Sequence, residues 1–308
     1  MRVLKNLSLY FLVVLLFVLV QVPGYSYYRY LDYSQLRSSY RELPLWFSNI
    51  PLAQYPEKVG SDDLPLITAE GVFVIDVDSA VPIYQKNVNK ELFPASTTKI
   101  MTALIALEEY RLEDVIEVPE ASFSGSLMKL KSHERITVLN LLYGLLINSG
   151  NDAADTIAMS YPGGYSAFID RMNTRGVELG LKSTHFTNPS GLPDQNHKMS
   201  AWDLGQLAAF ALRNDTFKSI VNTREKIVYG LNGERHVLMS TNKLLGEVRG
   251  LDGIKTGYTE DAGEVLVSTV ERNGHRIVTV LLKSSDRFGE TKNVVEWVFR
   301  NYEWRTIQ

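Results

Sequence analysis

Residues 94–109 read Pro94-Ala-Ser-Thr-Thr-Lys-Ile-Met-Thr-Ala-Leu-Ile-Ala-Leu-Glu-Glu109. Apolar residues at 100, 101, 104, 105 and 107 recur at helical spacing behind a proline and a run of hydroxyl residues. The stretch therefore predicts a helix that starts near Ser96 and buries one face. On its N-terminal side, Gly71-Val-Phe-Val-Ile-Asp76 and Val81-Pro-Ile-Tyr-Gln-Lys86 flank the polar turn Asp78-Ser79-Ala80 and predict a β-hairpin. On its C-terminal side, helical patterns recur at 138–148, 152–160, 165–179 and 201–213, the last opened by Ser200 as N-cap. Strand patterns return at 226–230, 236–239, 264–270 and 276–283, and a closing helix is expected over 288–302 with Val294, Val295, Val298 and Phe299 on one face. Strands at both ends with helices between them predict an α/β (α+β) fold, in which one antiparallel sheet is assembled from both chain ends around a helical insertion. A regular βαβ alternation is not expected.

The composition narrows the chemistry. The chain has 308 residues, 45% hydrophobic and 22% charged, which is ordinary for a globular protein and long enough for a sizeable core. Its formal net charge of -3 argues against a nucleic-acid partner, which calls for a basic excess. With no cysteine, disulfides, zinc–thiolate sites, iron–sulfur clusters and cysteine nucleophiles are excluded. The five histidines, at 133, 185, 197, 236 and 275, are scattered and form no His-Glu-x-x-His signature, so a zinc hydrolase reads poorly.

The N-terminus carries an address. Arg2 and Lys5 precede an apolar run from Leu7 to Val22, ended by Pro23-Gly24. This reads as an export signal with the remainder of the chain outside. Cleavage after Ser26 and retention as a membrane anchor are both open. Tyrosines at 25, 27, 28, 30, 33 and 40 interleave with Arg29, Arg37 and Arg41, which suits a bilayer headgroup region or a helix packed on the body. Pro44, Pro51, Pro56 and Pro65 then punctuate a stretch without periodicity. The expected division is residues 1–26 as signal or anchor, 27–65 as a Tyr/Pro-rich juxtamembrane linker, and 66–308 as the catalytic domain.

Three short motifs carry the chemistry. A Ser-x-x-Lys on a helix puts a hydroxyl and an amine on one face, and the amine can act as base if burial lowers its pKa. The pattern occurs at Ser96/Lys99, Ser126/Lys129 and Ser240/Lys243, but only Ser96/Lys99 opens a strong helix, where the helix N-terminus favours a developing oxyanion. Ser149-Gly150-Asn151 closes the apolar helix Leu139–Ile147. It reads either as a helix C-cap with Gly150 left-handed, or as a proton relay with a substrate-binding amide. Lys255-Thr256-Gly257 offers a cation and a hydroxyl to a carboxylate on a strand edge, and Gly257 lets another backbone approach closely. The bland alternative is a charged residue and a turn glycine on an edge strand.

Ser-x-x-Lys, Ser-x-Asn and Lys-Thr-Gly, in that order, make up the signature of the penicillin-interacting serine enzymes. Pro94-Ala-Ser-Thr-Thr-Lys-Ile-Met-Thr-Ala103, Ser149-Gly-Asn-Asp-Ala-Ala154 and Asp252-Gly-Ile-Lys-Thr-Gly-Tyr-Thr259 closely resemble the D-alanyl-D-alanine carboxypeptidase family. So do Phe186-Thr-Asn-Pro-Ser-Gly-Leu192 and Thr241-Asn-Lys-Leu-Leu245, and the resemblance covers about residues 66 to 303. It implies a five-stranded antiparallel sheet flanked by helices, plus a helical subdomain, with the site in the cleft between. It also implies that the substrate is a peptidoglycan stem peptide ending in D-Ala-D-Ala and that β-lactams are covalent inhibitors. Ser96 would be the nucleophile, Lys99 the general base and Ser149 a proton relay to the leaving amine. Asn151 would orient the substrate amide, and Lys255 and Thr256 would recognise the terminal carboxylate. The amides of Ser96 and Tyr258 would form the oxyanion hole, and Arg287 would match a carboxylate-binding arginine. The chemistry calls for no metal or organic cofactor.

Family members often carry a separate β-rich domain and a C-terminal amphipathic membrane helix, and this sequence ends at Gln308, so membrane attachment is expected to fall to the N-terminal segment. A class A β-lactamase shares fold and motifs but deacylates through a Glu-x-x-Leu-Asn loop, and none occurs between 152 and 250. A D,D-endopeptidase or transpeptidase using the same residues, and an inactive wall-binding module, are the other readings.

Overall fold

The computed structural model describes residues 54–306. A five-stranded antiparallel sheet organises them, built from β2 (Gly71–Asp76), β3 (Pro82–Lys86), β10 (Leu251–Thr259), β11 (Gly263–Arg272) and β12 (His275–Ser284) in the order β10-β11-β12-β2-β3. The two chain ends meet where β12 pairs with β2, Ile277 opposite Asp76 and Leu282 opposite Gly71. All six residues of β2 are buried, because helices cover both faces of the sheet.

Side chains on a strand alternate between faces, so Val72 and Val74 share one core and Phe73 faces the other. The first core contains Val72, Val74, Leu266, Val270, Ile277 and Leu281, packed with Val294, Val295, Trp297 and Val298 of α7 (Arg287–Asn301). On the opposite face, Phe73 meets Trp202 and Gly205 of α5 (Ala201–Ala211). The Ser200 hydroxyl caps α5 by accepting from the Asp203 amide at 3.1 Å, as the sequence predicts.

Between the sheet segments lie α1 (Lys99–Glu109), α2 (Val138–Leu146), α3 (Asn151–Met159), α4 (Gly164–Glu178) and α6 (Asp215–Val221). The insertion also holds the short strand pairs β4–β5 (Val115–Glu117, Arg135–Thr137), β6–β7 (Thr184–His185, Lys198–Met199) and β8–β9 (Glu225–Tyr229, Arg235–Met239). The sequence missed α6 and the shortest strands, whose periodic patterns span too few residues to register.

Two boundaries differ from expectation. The stretch expected to be linker up to residue 65 contains β1 (Gln54–Lys58), which pairs antiparallel with β13 (Tyr302–Thr306) directly after α7. Neither strand has a pattern of its own, since each is five residues long and its partner lies at the far end of the chain. The second difference is at 96–109. The helix proper starts at Lys99, and Ala95–Thr98 forms a 3-10 turn entered through Ala95 at φ 47°. The segments expected to be leader and tyrosine-rich linker, residues 1–53, lie outside the described residues. Among the described residues no helix is long and apolar enough to cross a membrane.

Candidate active site

Ser96 sits in the 3-10 turn and Lys99 opens α1, so one tight turn sets them side by side: Lys99 Nζ is 3.1 Å from Ser96 Oγ. The Lys99 side chain is fully buried, and burial pushes its amine down to about 7 against the opposing pull of the Asp155 and Asp152 carboxylates. Its other two partners are Asn151 Oδ1 and the Ser190 carbonyl, each at 2.7 Å. The Asn151 amide has a fixed orientation, because its Nδ2 donates to the Ser124 carbonyl at 2.7 Å. A neutral amine has two hydrogens and one lone pair. Asn151 Oδ1 and Ser190 O can only accept, so they take both hydrogens and the lone pair faces the Ser96 hydroxyl. That geometry suits proton abstraction from Ser96.

The other two Ser-x-x-Lys pairs are not built this way. Ser126 and Lys129 lie in an irregular loop with Lys129 at φ 69°, and Ser240 follows β9 with its hydroxyl accepting from the Asn242 amide.

Ser149-Gly150-Asn151 links α2 to α3, and Asn151 is the first residue of α3. The expectation of a left-handed Gly150 is corrected: Gly150 has φ -59°, and the left-handed residue is Ser149 at φ 61°. A serine in that region carries strain that a glycine would avoid. The bend leads straight into Asn151, whose side chain reaches Lys99. Ser149 is 5% exposed, and among the described residues its hydroxyl has no hydrogen-bond partner. A loop holds Asn151 from the other side. Its amide donates to Ser126 O at 2.7 Å, and Asp152 accepts from the amides of Met128 and Leu130 at 2.9 and 3.0 Å. The loop is anchored in turn by the buried His236, which bonds Met128 O at 3.1 Å and Glu134 at 2.7 Å.

Lys255-Thr256-Gly257 lies on β10, the edge strand of the sheet, and packs against the turn that carries Ser96. A Cβ on Gly257 would lie 2.9 Å from the Ser96 amide nitrogen and 3.2 Å from the Pro94 carbonyl, so only glycine allows this approach. Tyr258 follows, 62% exposed. The Lys255 amine donates to Thr256 O at 2.9 Å. Burial holds its pKa well below the usual lysine range, reinforced by the positive charges of Lys99 and Arg287. Arg287 donates to Gly257 O at 2.7 Å, while its Nε is buried without a partner. Three basic side chains, Lys99, Lys255 and Arg287, thus lie close together beside β10, and the unpartnered Nε of Arg287 leaves it capacity for an anion.

Some supporting residues have no signature of their own in the sequence. Ser190 supplies an acceptor for Lys99 through its carbonyl, in a loop where Asn188 Oδ1 accepts from the amides of Ser190, Gly191 and Leu192. Thr241 bonds Thr256 hydroxyl to hydroxyl at 2.6 Å. The resemblance had marked both segments, but their contacts run through main-chain atoms and long-range partners that no spacing encodes. Among the described residues no group of three His, Asp or Glu side chains could hold a metal ion.

The fold is of the penicillin-binding, DD-peptidase type. Residues 58–286 match the D-alanyl-D-alanine carboxypeptidase family, and the chain belongs to that family. It is 33% identical over 245 residues to the D-alanyl-D-alanine carboxypeptidase DacF of Bacillus subtilis, a match covering 76% of this chain and 63% of that protein. It is 31% identical over 240 residues to a Streptomyces D-alanyl-D-alanine carboxypeptidase, covering 72% and 82%. Among solved structures, a Streptomyces DD-transpeptidase superposes with a TM-score of 0.74 at 28% identity, covering 78% of this chain and 100% of that one. An evolved homologue of a penicillin-binding protein from Mycobacterium tuberculosis superposes with a TM-score of 0.76 at 29% identity, covering 82% and 99%.

Proposed function

We propose that the protein is a serine-type D-Ala-D-Ala carboxypeptidase acting on peptidoglycan stem peptides. The observation that carries the reading is the buried Lys99 amine, 3.1 Å from the Ser96 hydroxyl and hydrogen-bonded to two pure acceptors. Ser96 Oγ attacks the carbonyl of the penultimate D-Ala as its proton passes to Lys99 Nζ. The oxyanion meets the amides of Ser96 and Tyr258, a reading supported by the close approach of Gly257, the residue before Tyr258, to the Ser96 amide. The peptide bond breaks, and the leaving amine takes a proton relayed by Ser149. The terminal D-Ala departs, and water hydrolyses the ester to regenerate Ser96. Lys255, Thr256 and Arg287 hold the terminal carboxylate. Asn151 keeps Lys99 in place and orients the substrate amide.

The same nucleophile makes β-lactams covalent inhibitors. Without a deacylating glutamate loop, the resulting ester is long-lived. Action on stem peptides calls for a location outside the cytoplasm, which the basic-then-apolar start of the sequence supports, with that segment as signal or membrane anchor.

A second reading differs only in the acyl acceptor: one of the similar solved structures is a DD-transpeptidase, and an endopeptidase would use the same residues. The deciding experiment incubates the full chain with a pentapeptide, alone and with an acceptor amine, and with a cross-linked dimer. Release of free D-Ala from the pentapeptide alone is expected. Turnover only with the acceptor, or only of the dimer, moves the assignment to transpeptidase or endopeptidase.

A further inference from the structure

We propose that His197 is a positioning residue for acylation: as the neutral Nε2–H tautomer it pins the turn carrying Ser96 to the loop whose Ser190 carbonyl holds Lys99. The inference rests on the Ser96 acyl-enzyme reading above.

The tautomer follows from the partners. The Thr187 amide donates to His197 Nδ1 at 3.1 Å, so Nδ1 carries no hydrogen. Thr187 Oγ1 at 3.2 Å and Asn188 Nδ2 at 3.4 Å also lie near Nδ1, and both are able to donate to it. The ring proton is therefore on Nε2, which lies 2.8 Å from Thr98 Oγ1 and donates to it. Thr98 Oγ1 in turn donates to the Ala95 carbonyl at 2.8 Å. Every link has one donor and one acceptor, and both side chains are buried, His197 1% and Thr98 0% exposed. An imidazolium would set a second N–H against the Thr187 amide. Burial guards against this by pushing the ring's pKa down to about 4.

The chain ends on the two pieces of backbone that acylation depends on. At one end is Ala95, a non-glycine residue at φ 47° that starts the nucleophile turn and needs outside support. At the other is the 186–192 loop, closed at its base by pairing of Thr184 with Met199 and His185 with Lys198. The loop lies so close to the turn that a Cβ on Gly191 would be 1.8 Å from the Ala95 carbonyl oxygen. The turn sets Ser96 Oγ beside Lys99 Nζ, and the register of loop and turn sets where the Ser190 carbonyl meets that amine; His197 hydrogen-bonds both segments independently of the reacting pair.

The test separates the two ring nitrogens. His197→Gln can still donate to Thr98, whereas His197→Asn can accept from Thr187 but cannot reach Thr98. Penicillin acylation is resolved into a binding constant and a rate constant for ester formation. His197→Asn is expected to lower the rate constant roughly 10- to 100-fold with little change in binding, and His197→Gln to retain it within about threefold. In a Thr98→Val background, which already lacks the link, His197→Asn is expected to cost nothing more. Equal losses in Asn and Gln, or an undiminished loss in the Thr98→Val background, overturn the proposal. Proton–nitrogen correlation NMR on the wild-type full chain reads the tautomer without any turnover. Nδ1–H or a doubly protonated ring at pH 7 also overturns it. Failure of the wild type to be acylated, with the Nε2–H tautomer present, counts against the enzymatic reading instead.

Discussion

Gly257 approaches the amide of Ser96 so closely that even a methyl group would intrude, its carbon 2.9 Å from the nitrogen. The edge strand and the turn that carries Ser96 are thereby packed as one unit, with Lys255-Thr256-Gly257 of β10 set against Ser96. Gly257→Ala has no penalty of backbone conformation, since Gly257 is not among the positive-φ glycines. Its cost falls on spacing, and a displacement of about 1 Å at a reacting centre lowers rates by roughly 100-fold. Acylation by fluorescent penicillin should fall by about that factor, while the melting temperature shifts only modestly. Unchanged labelling kinetics would show that the contact does not set the geometry.

Ser96→Ala should abolish penicillin labelling, and Ser240→Ala should leave it intact, because the Ser240 hydroxyl accepts from the Asn242 amide in its own loop and no lysine amine is bonded to it among the described residues. Labelled peptide mapping locates the modified hydroxyl.

The acylation rate should rise with pH through about 7, where the Lys99 amine loses its proton. Below that the rate falls about tenfold per pH unit, because the protonated amine cannot accept the Ser96 proton. Asp155→Asn removes the carboxylate that acts most strongly to raise the Lys99 pKa, so the midpoint should move to lower pH. Lys99→Arg should remove the ascending limb and the activity together, since a guanidinium stays charged. A pH–rate profile of the three proteins checks both signs.

Carboxylate binding should be accompanied by proton uptake. Burial and the charges of Lys99 and Arg287 hold the Lys255 pKa down, and an arriving carboxylate raises it again. Titration calorimetry of a D-Ala-D-Ala peptide into Ser96→Ala, in two buffers of different ionisation enthalpy, measures the uptake. Adding Lys255→Arg should abolish it.

Trp304 stacks on His275 and Phe299 and donates to Asp76 Oδ1 at 2.7 Å, holding β13 and its partner β1 on the sheet. Trp304→Ala should lower unfolding free energy by about 2 kcal/mol in urea titrations, without changing penicillin labelling of the folded protein. For the same reason a fragment beginning at residue 66 lacks β1 and should melt below one beginning at 54.

Periodicity in the sequence was sufficient for the sheet from both chain ends, the helical insertion, and the serine–lysine pair within one turn. Each helix and strand, and the one-turn spacing of Ser96 and Lys99, depends on near neighbours, where residue type and spacing act directly through helical and strand geometry, and the order of strands and helices along the chain then implies one sheet from both ends. Gly257 was legible for a related reason, because the absence of a side chain announces a close approach even when the approaching chain is unknown. Only the tertiary structure decided that Ser149 and not Gly150 bends the chain, that β1 finds its partner in β13, and that the Ser190 carbonyl and Asn151 side chain claim the two hydrogens of Lys99. The lowered pKa of Lys99 arises from desolvation, and the orientation of its amine from acceptors 52 and 91 residues away in sequence. Both are properties of what the fold packs around an atom, and a linear pattern of residue types does not contain them.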